Sequence, residues 1–425
     1  MDPNPNRNRL KLDFIPFLAP GHLIPLCGLA TLLASRGHHV RVITTPSNAQ
    51  LLAKSNPSLH LHTVDFPARE AGLAHGVEIM SKVDDFNKAA NFYRAAMLLR
   101  GPIARILEQQ PPDCIVADFM YPWMDDVANN LNIPRLAFNG FSLFTVAAMD
   151  FAELDGEEYL EHYQKRTGHK AWHVGPACLA PRSGEERAEK SVVSENECLS
   201  WLDSKPPQSV VYICFGSMCR FPDKQLYEMA CGLEQAGHAF IWVVPEKKGE
   251  ECDKEEEKEM WLPKGFEERN KEKGLIIRGW APQLLILGHA AVAAFLTHCG
   301  WNSTLEAVTA GVPMITWPVQ GDQFYNEKLV SEVRGIGVEV GATEWRVVGY
   351  GEREKLIGRD CIERAVRRLM DGGEEALNIR RRAKEFGEKA KEALQEGGSS
   401  HDSLSALIAH LLRLRDSKIN SLHSF

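Results

Sequence analysis

The chain has 425 residues, 44% of them apolar, enough for two domains with cores of their own. Its 57 acidic residues outnumber 49 lysines and arginines, a formal net charge of −8, so no basic field exists to hold nucleic acid or an anionic lipid surface. The polar start, Met1 to Arg9, is followed only by a short apolar run, Phe14–Ala19. That is too short for a secretory leader or for a span of about 20 apolar residues, so the cytosol is the expected location.

The first half alternates short apolar strands with helix-period segments. Leu10–Leu18 reads as a strand, Leu26–Ser35 as a helix and His39–Thr44 as a strand. A short helix follows Thr45-Pro46, with proline suited to its first position. Phe86–Gln109 reads as a long helical stretch broken near Gly101-Pro102, Cys114–Ala117 as a strand, Trp123–Leu131 as a helix and Arg135–Phe138 as a strand. Pro176 to Val193 has neither period and reads as an interdomain linker. The alternation then restarts with strand Val210–Phe215, helix Lys224–Gln235 and strand Phe240–Val244. The charge run Lys247–Glu259 reads as a solvated loop. Strands at Leu275–Arg278, Val292–Leu296 and Pro313–Ile315 follow, then helices at Arg359–Met370, Glu374–Gln395 and Ser403–Leu414. Such alternation implies two doubly wound parallel sheets, with a ligand cleft at their strand C-termini. The ten cysteines are scattered with no C-x-x-C pair, which suits buried free thiols better than disulfides or a zinc site.

The most informative stretch spans 44 residues from Trp280 to Gln323, WAPQLLILGHAAVAAFLTHCGWNSTLEAVTAGVPMITWPVQGDQ. The strand Val292–Leu296 runs through Thr297-His298-Cys299-Gly300-Trp301-Asn302-Ser303 into a helix. A glycine-containing turn of this kind leaves backbone N–H groups and a positive helix end for an anion. His298 adds a donor suited to a diphosphate. Glu306, expected on the helix's first turn, would repel a phosphate, so it either accepts ribose hydroxyls or caps the helix with Ser303. Trp280 offers a flat face for a base. An ordinary capped strand–turn–helix is the alternative for each residue taken singly.

Taken jointly, the spacing resembles the donor signature of plant UDP-sugar glycosyltransferases, the plant secondary product glycosyltransferase box, in full length and without a gap. One departure is Ala307, where many relatives carry glycine. The resemblance extends to FIPFLAPGH, ITTPSNAQ, CIVADFMYPW, AFNG, AWHVGP, SVVYICFGSM and DQFYNEKLV, and is similar to the branch acting on triterpenoid sapogenins and flavonoids. It implies the GT-B architecture, an α/β fold of two facing Rossmann-like domains. Residues 1–180 would bind acceptor, 181–400 would bind the UDP-sugar, and 401–425 would return as a helix to the first domain. By the same resemblance Trp280 stacks on uracil, and Gln283 and Glu306 bind ribose. His298, Asn302 and Ser303 hold the diphosphate with Ser217 opposite. Trp301, Asp322 and Gln323 bind sugar hydroxyls, and Ala281 belongs to the same donor set. Gln323 points to glucose. Phe17, Phe119 and Phe141 are candidate acceptor walls, with core packing as their alternative.

Inverting glycosyl transfer needs a base for the acceptor hydroxyl. Histidine suits this near neutral pH when a carboxylate fixes its other nitrogen. His22 follows the first strand and Asp118 ends another strand of the same expected sheet, within reach of one another. Both match the family's base and orienting acid. No metal is required by this logic and there is no D-x-D pair, so no cofactor beyond the UDP-sugar co-substrate is expected. The partners expected are that donor and a small hydroxyl acceptor, and nothing demands more than a monomer.

Two other enzymes use similar sheets. A nicotinamide-dependent dehydrogenase needs G-x-G-x-x-G between strand and helix, and Gly335-Ile336-Gly337-Val338-Glu339-Val340-Gly341 has the wrong spacing. A sugar-nucleotide epimerase is an analogy of fold only. A third reading rests on a departure from the family. Relatives carry several tens of further residues between the equivalents of Asp150 and Phe151, supplying acceptor loops and one more strand of the first sheet. A chain lacking them could bind UDP-sugar yet transfer poorly.

Overall fold

Continuous apolar runs such as Val292–Thr297 bury both faces of a strand, and such strands pair in parallel under helices. The computed structural model describes residues 8–83, 85–142, 145, 158–176, 178, 195–244, 261–344 and 355–422, and in these every strand pairing is parallel. The chain divides into two units. One is Met1–Gly140, Lys170–Ala188 and Ala393–Phe425, and the other is Phe141–His169 and Glu189–Glu392. The stretch 141–169 goes with the second unit, although the sequence placed it in the first. Within that unit the Ser142 and Thr145 hydroxyls both bond to Asn326. The junction at Asp150–Phe151 lies outside the described residues.

The first unit holds β1 (Lys11–Ile15), β2 (His39–Thr44), β3 (His60–Thr63), β4 (Cys114–Asp118) and β5 (Arg135–Phe138), in the order β3-β2-β1-β4-β5. The order reverses between β1 and β4, where Ile15 pairs with Ala117. Such a switch point opens a crevice at the strand C-termini. The first helix, Pro20–Ser35, starts six residues earlier than expected, with Pro20 at its first turn. His22 therefore sits in that first turn, shortly after the end of β1. The long helical stretch is two helices, Phe86–Leu98 and Arg100–Gln109, divided at Leu99 just ahead of Pro102, whose ring and missing N–H interrupt the ladder. Leu10, Leu12 and Phe14 pack with Leu26, Leu29 and Val42, and the same core takes in Leu404, Leu407 and Leu411 of the last helix, Ser399–Leu422.

The second unit holds β6 (Val210–Cys214), β7 (Ala239–Val244), β8 (Gly274–Arg278), β9 (Val292–Thr297), β10 (Met314–Thr316) and β11 (Gly337–Glu339), in the order β11-β10-β9-β6-β7-β8. Its switch point lies between β6 and β9, where Cys214 pairs with Thr297. Each unit by itself is a Rossmann-like parallel sheet. Among the described residues no helix is long and apolar enough to cross a membrane, and the nine described cysteines are free thiols.

Candidate active site

In the first unit, adjacent strand ends bring the expected pair together. His22 Nδ1 lies 2.9 Å from Asp118 Oδ2, with the histidine side chain 22% exposed and the carboxylate fully buried. The second carboxylate oxygen, Oδ1, accepts the Met120 backbone N–H at 3.0 Å. Asp118 is thus held at both oxygens. With Nδ1 engaged as the donor, Nε2 of His22 carries the lone pair, as a general base requires. Phe17 meets the His22 ring edge-on at 5.5 Å, and Phe119 lies across it at 5.8 Å. Phe17 is itself 1% exposed, so it backs the histidine as core, while Phe119 is half-buried beside it. Tyr93, which the sequence reading missed, stacks on Phe17 at 5.5 Å and is 40% exposed. Phe141 is exposed and falls in the second unit.

In the second unit the candidate donor residues follow the C-terminal ends of β6, β8, β9 and β10. The helix Trp301–Ala310 begins directly after β9, its N-cap Gly300 has no side-chain cap, and its first turn carries no acid. Its positive end is therefore open to an anion. His298 stands at the head of this turn. Although the residue as a whole is only half-buried, the surrounding protein desolvates its ring and holds its pKa down to about 4, so it is a neutral donor near pH 7. Two glycines wrap the ring. A Cβ on Gly216 would lie 2.8 Å from His298 Cε1, and one on Gly300 2.4 Å from Nε2. Gly216 also has φ +70°, which favours glycine. Between them Cys299, fully buried, adopts φ +62°, a strained conformation of the kind held at ligand sites.

Gln283, at the start of helix Gln283–Leu287, links the ribose candidates. Its Nε2 donates to Ser303 Oγ at 3.1 Å and Glu306 Oε2 at 2.7 Å, and its Oε1 accepts from Tyr212 at 3.3 Å. Tyr212 is a buried partner that the sequence reading missed. Glu306 lies in the helix's second turn, not the first, and it does not cap the helix with Ser303; both residues turn to Gln283 instead. Trp280, half-buried, and buried Ala281 follow β8. Asn302 and Trp301 sit in the first turn, partly exposed, and Ser217 follows Gly216. Asp322 is the N-cap of helix Gln323–Lys328 and accepts from Asn326 Nδ2 at 2.9 Å. Gln323 Oε1 accepts from the Val319 and Gln320 backbones, both at 2.9 Å.

Comparison with known proteins matches residues 183–346 to the family described as UDP-glucoronosyl and UDP-glucosyl transferase. A UDP-glucosyl transferase of Saponaria officinalis is 44% identical over 490 positions, covering 98% of this chain and 99% of the relative. The chain is a plant family 1 UDP-glycosyltransferase. A UDP-glucose flavonoid 3-O-glucosyltransferase of Fragaria ananassa is 42% identical to this glycosyltransferase over 95% of the chain and 96% of the relative. The crystal structure of a Glycyrrhiza uralensis relative with glycyrrhetinic acid 3-O-monoglucuronide superposes with a TM-score of 0.85 at 34% identity, covering 98% of each chain. The Saponaria alignment has 490 positions against 425 residues, so at least 65 positions have no residue of this glycosyltransferase opposite.

Proposed function

We propose that the enzyme transfers glucose from UDP-glucose, with inversion, to a hydroxyl of a small apolar plant metabolite, a triterpenoid sapogenin or a flavonoid. The observation that carries this is the His22–Asp118 contact of 2.9 Å with Asp118 fixed at both oxygens. His22 Nε2 takes the acceptor proton as oxygen attacks the anomeric carbon opposite the leaving diphosphate, and buried Asp118 stabilises the imidazolium that forms. Neutral His298 and the open start of helix Trp301–Ala310 receive the diphosphate charge, so the reaction runs without a metal. Gln283 and Glu306 take the ribose, with Trp280 on the uracil.

Glucose is supported by Gln323. Its Oε1 is committed to two backbone N–H groups, so its amide donors are what it offers a sugar hydroxyl. Trp301 supplies no cation for a glucuronate carboxylate. The acceptor class follows the named activity of the Fragaria relative and the ligand of the Glycyrrhiza structure. Action in the cytosol, which the free thiols among the described residues suit, and as a monomer completes the reading. Donor binding with impaired transfer is not favoured, because His22 and Asp118 lie in contact and near-complete coverage joins the chain to glucosyl transferases. The test is the configuration of the glycoside formed in the presence of a chelator. A β-glucoside formed at an undiminished rate is expected; an α-linked product or loss of turnover in chelator contradicts the proposal.

A further inference from the structure

Asn326 is fully buried, and all four of its amide hydrogen-bonding positions are used. Nδ2 donates to the Cys299 carbonyl at 3.0 Å and to Asp322 Oδ2 at 2.9 Å. Oδ1 accepts from Ser142 Oγ and from Thr145 Oγ1, both at 3.0 Å. The two hydroxyls lie 2.8 Å apart, and Ser142 Oγ also accepts the Thr145 backbone N–H at 3.0 Å. Only this amide orientation gives a proton to the carbonyl and the carboxylate while leaving an acceptor for both hydroxyls. One side chain thus ties together three pieces of backbone. They are the strained donor turn at Cys299, the start of helix Gln323–Lys328 at Asp322, and the segment that begins immediately after Phe141. Satisfied buried polar networks rigidify and fix a single arrangement.

We propose that Asn326 is a positioning residue of the transfer, setting the Asp322 carboxylate and the Cys299 turn against the Ser142–Thr145 segment and so fixing which sugar the donor site accepts. This rests on the donor role given to Asp322 above. Asn326→Asp isolates the donor side. It is isosteric and still accepts from Ser142 and Thr145, but it turns an oxygen toward the Cys299 carbonyl and the Asp322 carboxylate, where two donated bonds become repulsions. The Ser142→Ala/Thr145→Val double variant isolates the other side.

The experiment compares both variants with the parent in kcat and KM for UDP-glucose and UDP-galactose with one acceptor, alongside the Kd of UDP and the melting temperature. UDP lacks the sugar, so its affinity reports the rest of the site. For Asn326→Asp we expect kcat/KM for UDP-glucose to fall roughly tenfold or more and the glucose-to-galactose ratio to shrink, with UDP affinity within about threefold of the parent. The double variant shifts the ratio in the same direction by less. An Asn326→Asp enzyme with the parent's ratio and kcat/KM overturns the proposal. So does joint loss of UDP binding and thermal stability in Asn326→Asp while the double variant keeps the parent's ratio, since Asn326 would then serve folding alone. A parent that transfers neither sugar sinks the proposed activity itself, and this inference with it.

Discussion

The proposed function gives His22 and His298 opposite tasks, and their surroundings differ. His22 has a buried carboxylate on one nitrogen, while His298 lies between two glycines and is kept neutral by desolvation. His22→Ala should lower kcat by roughly 10²–10⁴ with UDP affinity unchanged, read by steady-state kinetics and calorimetry, and Asp118→Ala should cost as much or less. For His298 the packing gives a different test. Gly300→Ala puts a methyl group 2.4 Å from its Nε2, so the ring must move, and KM for the donor should rise by about tenfold or more while His22-dependent chemistry survives. Glu327, 3% exposed, is a third case. Burial pushes its carboxyl up to about 7, opposed by the 2.7 Å hydrogen bond from Thr316, reinforced by Glu339 and offset by Lys328. A raised carboxyl pKa means the fold prefers the protonated form. Its contribution is complete below the unfolded value of 4.5 and is lost as pH rises to about 7. Glu327→Gln should therefore be more stable than the parent at pH 8, by on the order of 1–3 kcal/mol in denaturant titrations, and no more stable at pH 4.

Elements were legible where apolar runs are long and illegible where they are not. The buried strands β4 and β9 and the strand–turn–helix at His298 stand out because both faces of such strands are covered. β3 is His-Leu-His-Thr at a sheet edge, with no residue buried, and β11 has only three residues, so neither carries a periodic signal. In β11 the glycine that might suggest a nucleotide loop serves packing, because a Cβ on Gly337 would lie 2.6 Å from the Met314 carbonyl oxygen. The last helix extends beyond the expected Ser403–Leu414 at both ends. Its apolar stripe closes the first unit's core, and Leu404 is 1% exposed there. Leu404→Ala should destabilise the protein by about 2–4 kcal/mol in chemical denaturation, with UDP affinity retained once folded.

For the whole molecule, motifs contiguous in sequence announced the family, while the hydrogen bonds around the candidate site join distant residues. Asn326 and Ser142 are 184 positions apart, and Tyr212 and Gln283 are 71 apart, so no local pattern could reveal either contact. The negative net charge agrees with a small-molecule enzyme rather than a binder of polyanions. The central claim is glucosyl transfer to an apolar hydroxyl acceptor, and the most direct measurement is a competition assay. UDP-glucose, UDP-galactose and UDP-glucuronate are offered together to the purified enzyme with a panel of triterpenoid and flavonoid acceptors, and products are read by mass shift. The account predicts hexosides of at least one acceptor, with UDP-glucose consumed in preference; glycosides formed chiefly from UDP-galactose or UDP-glucuronate, or no glycoside from any acceptor, would contradict it.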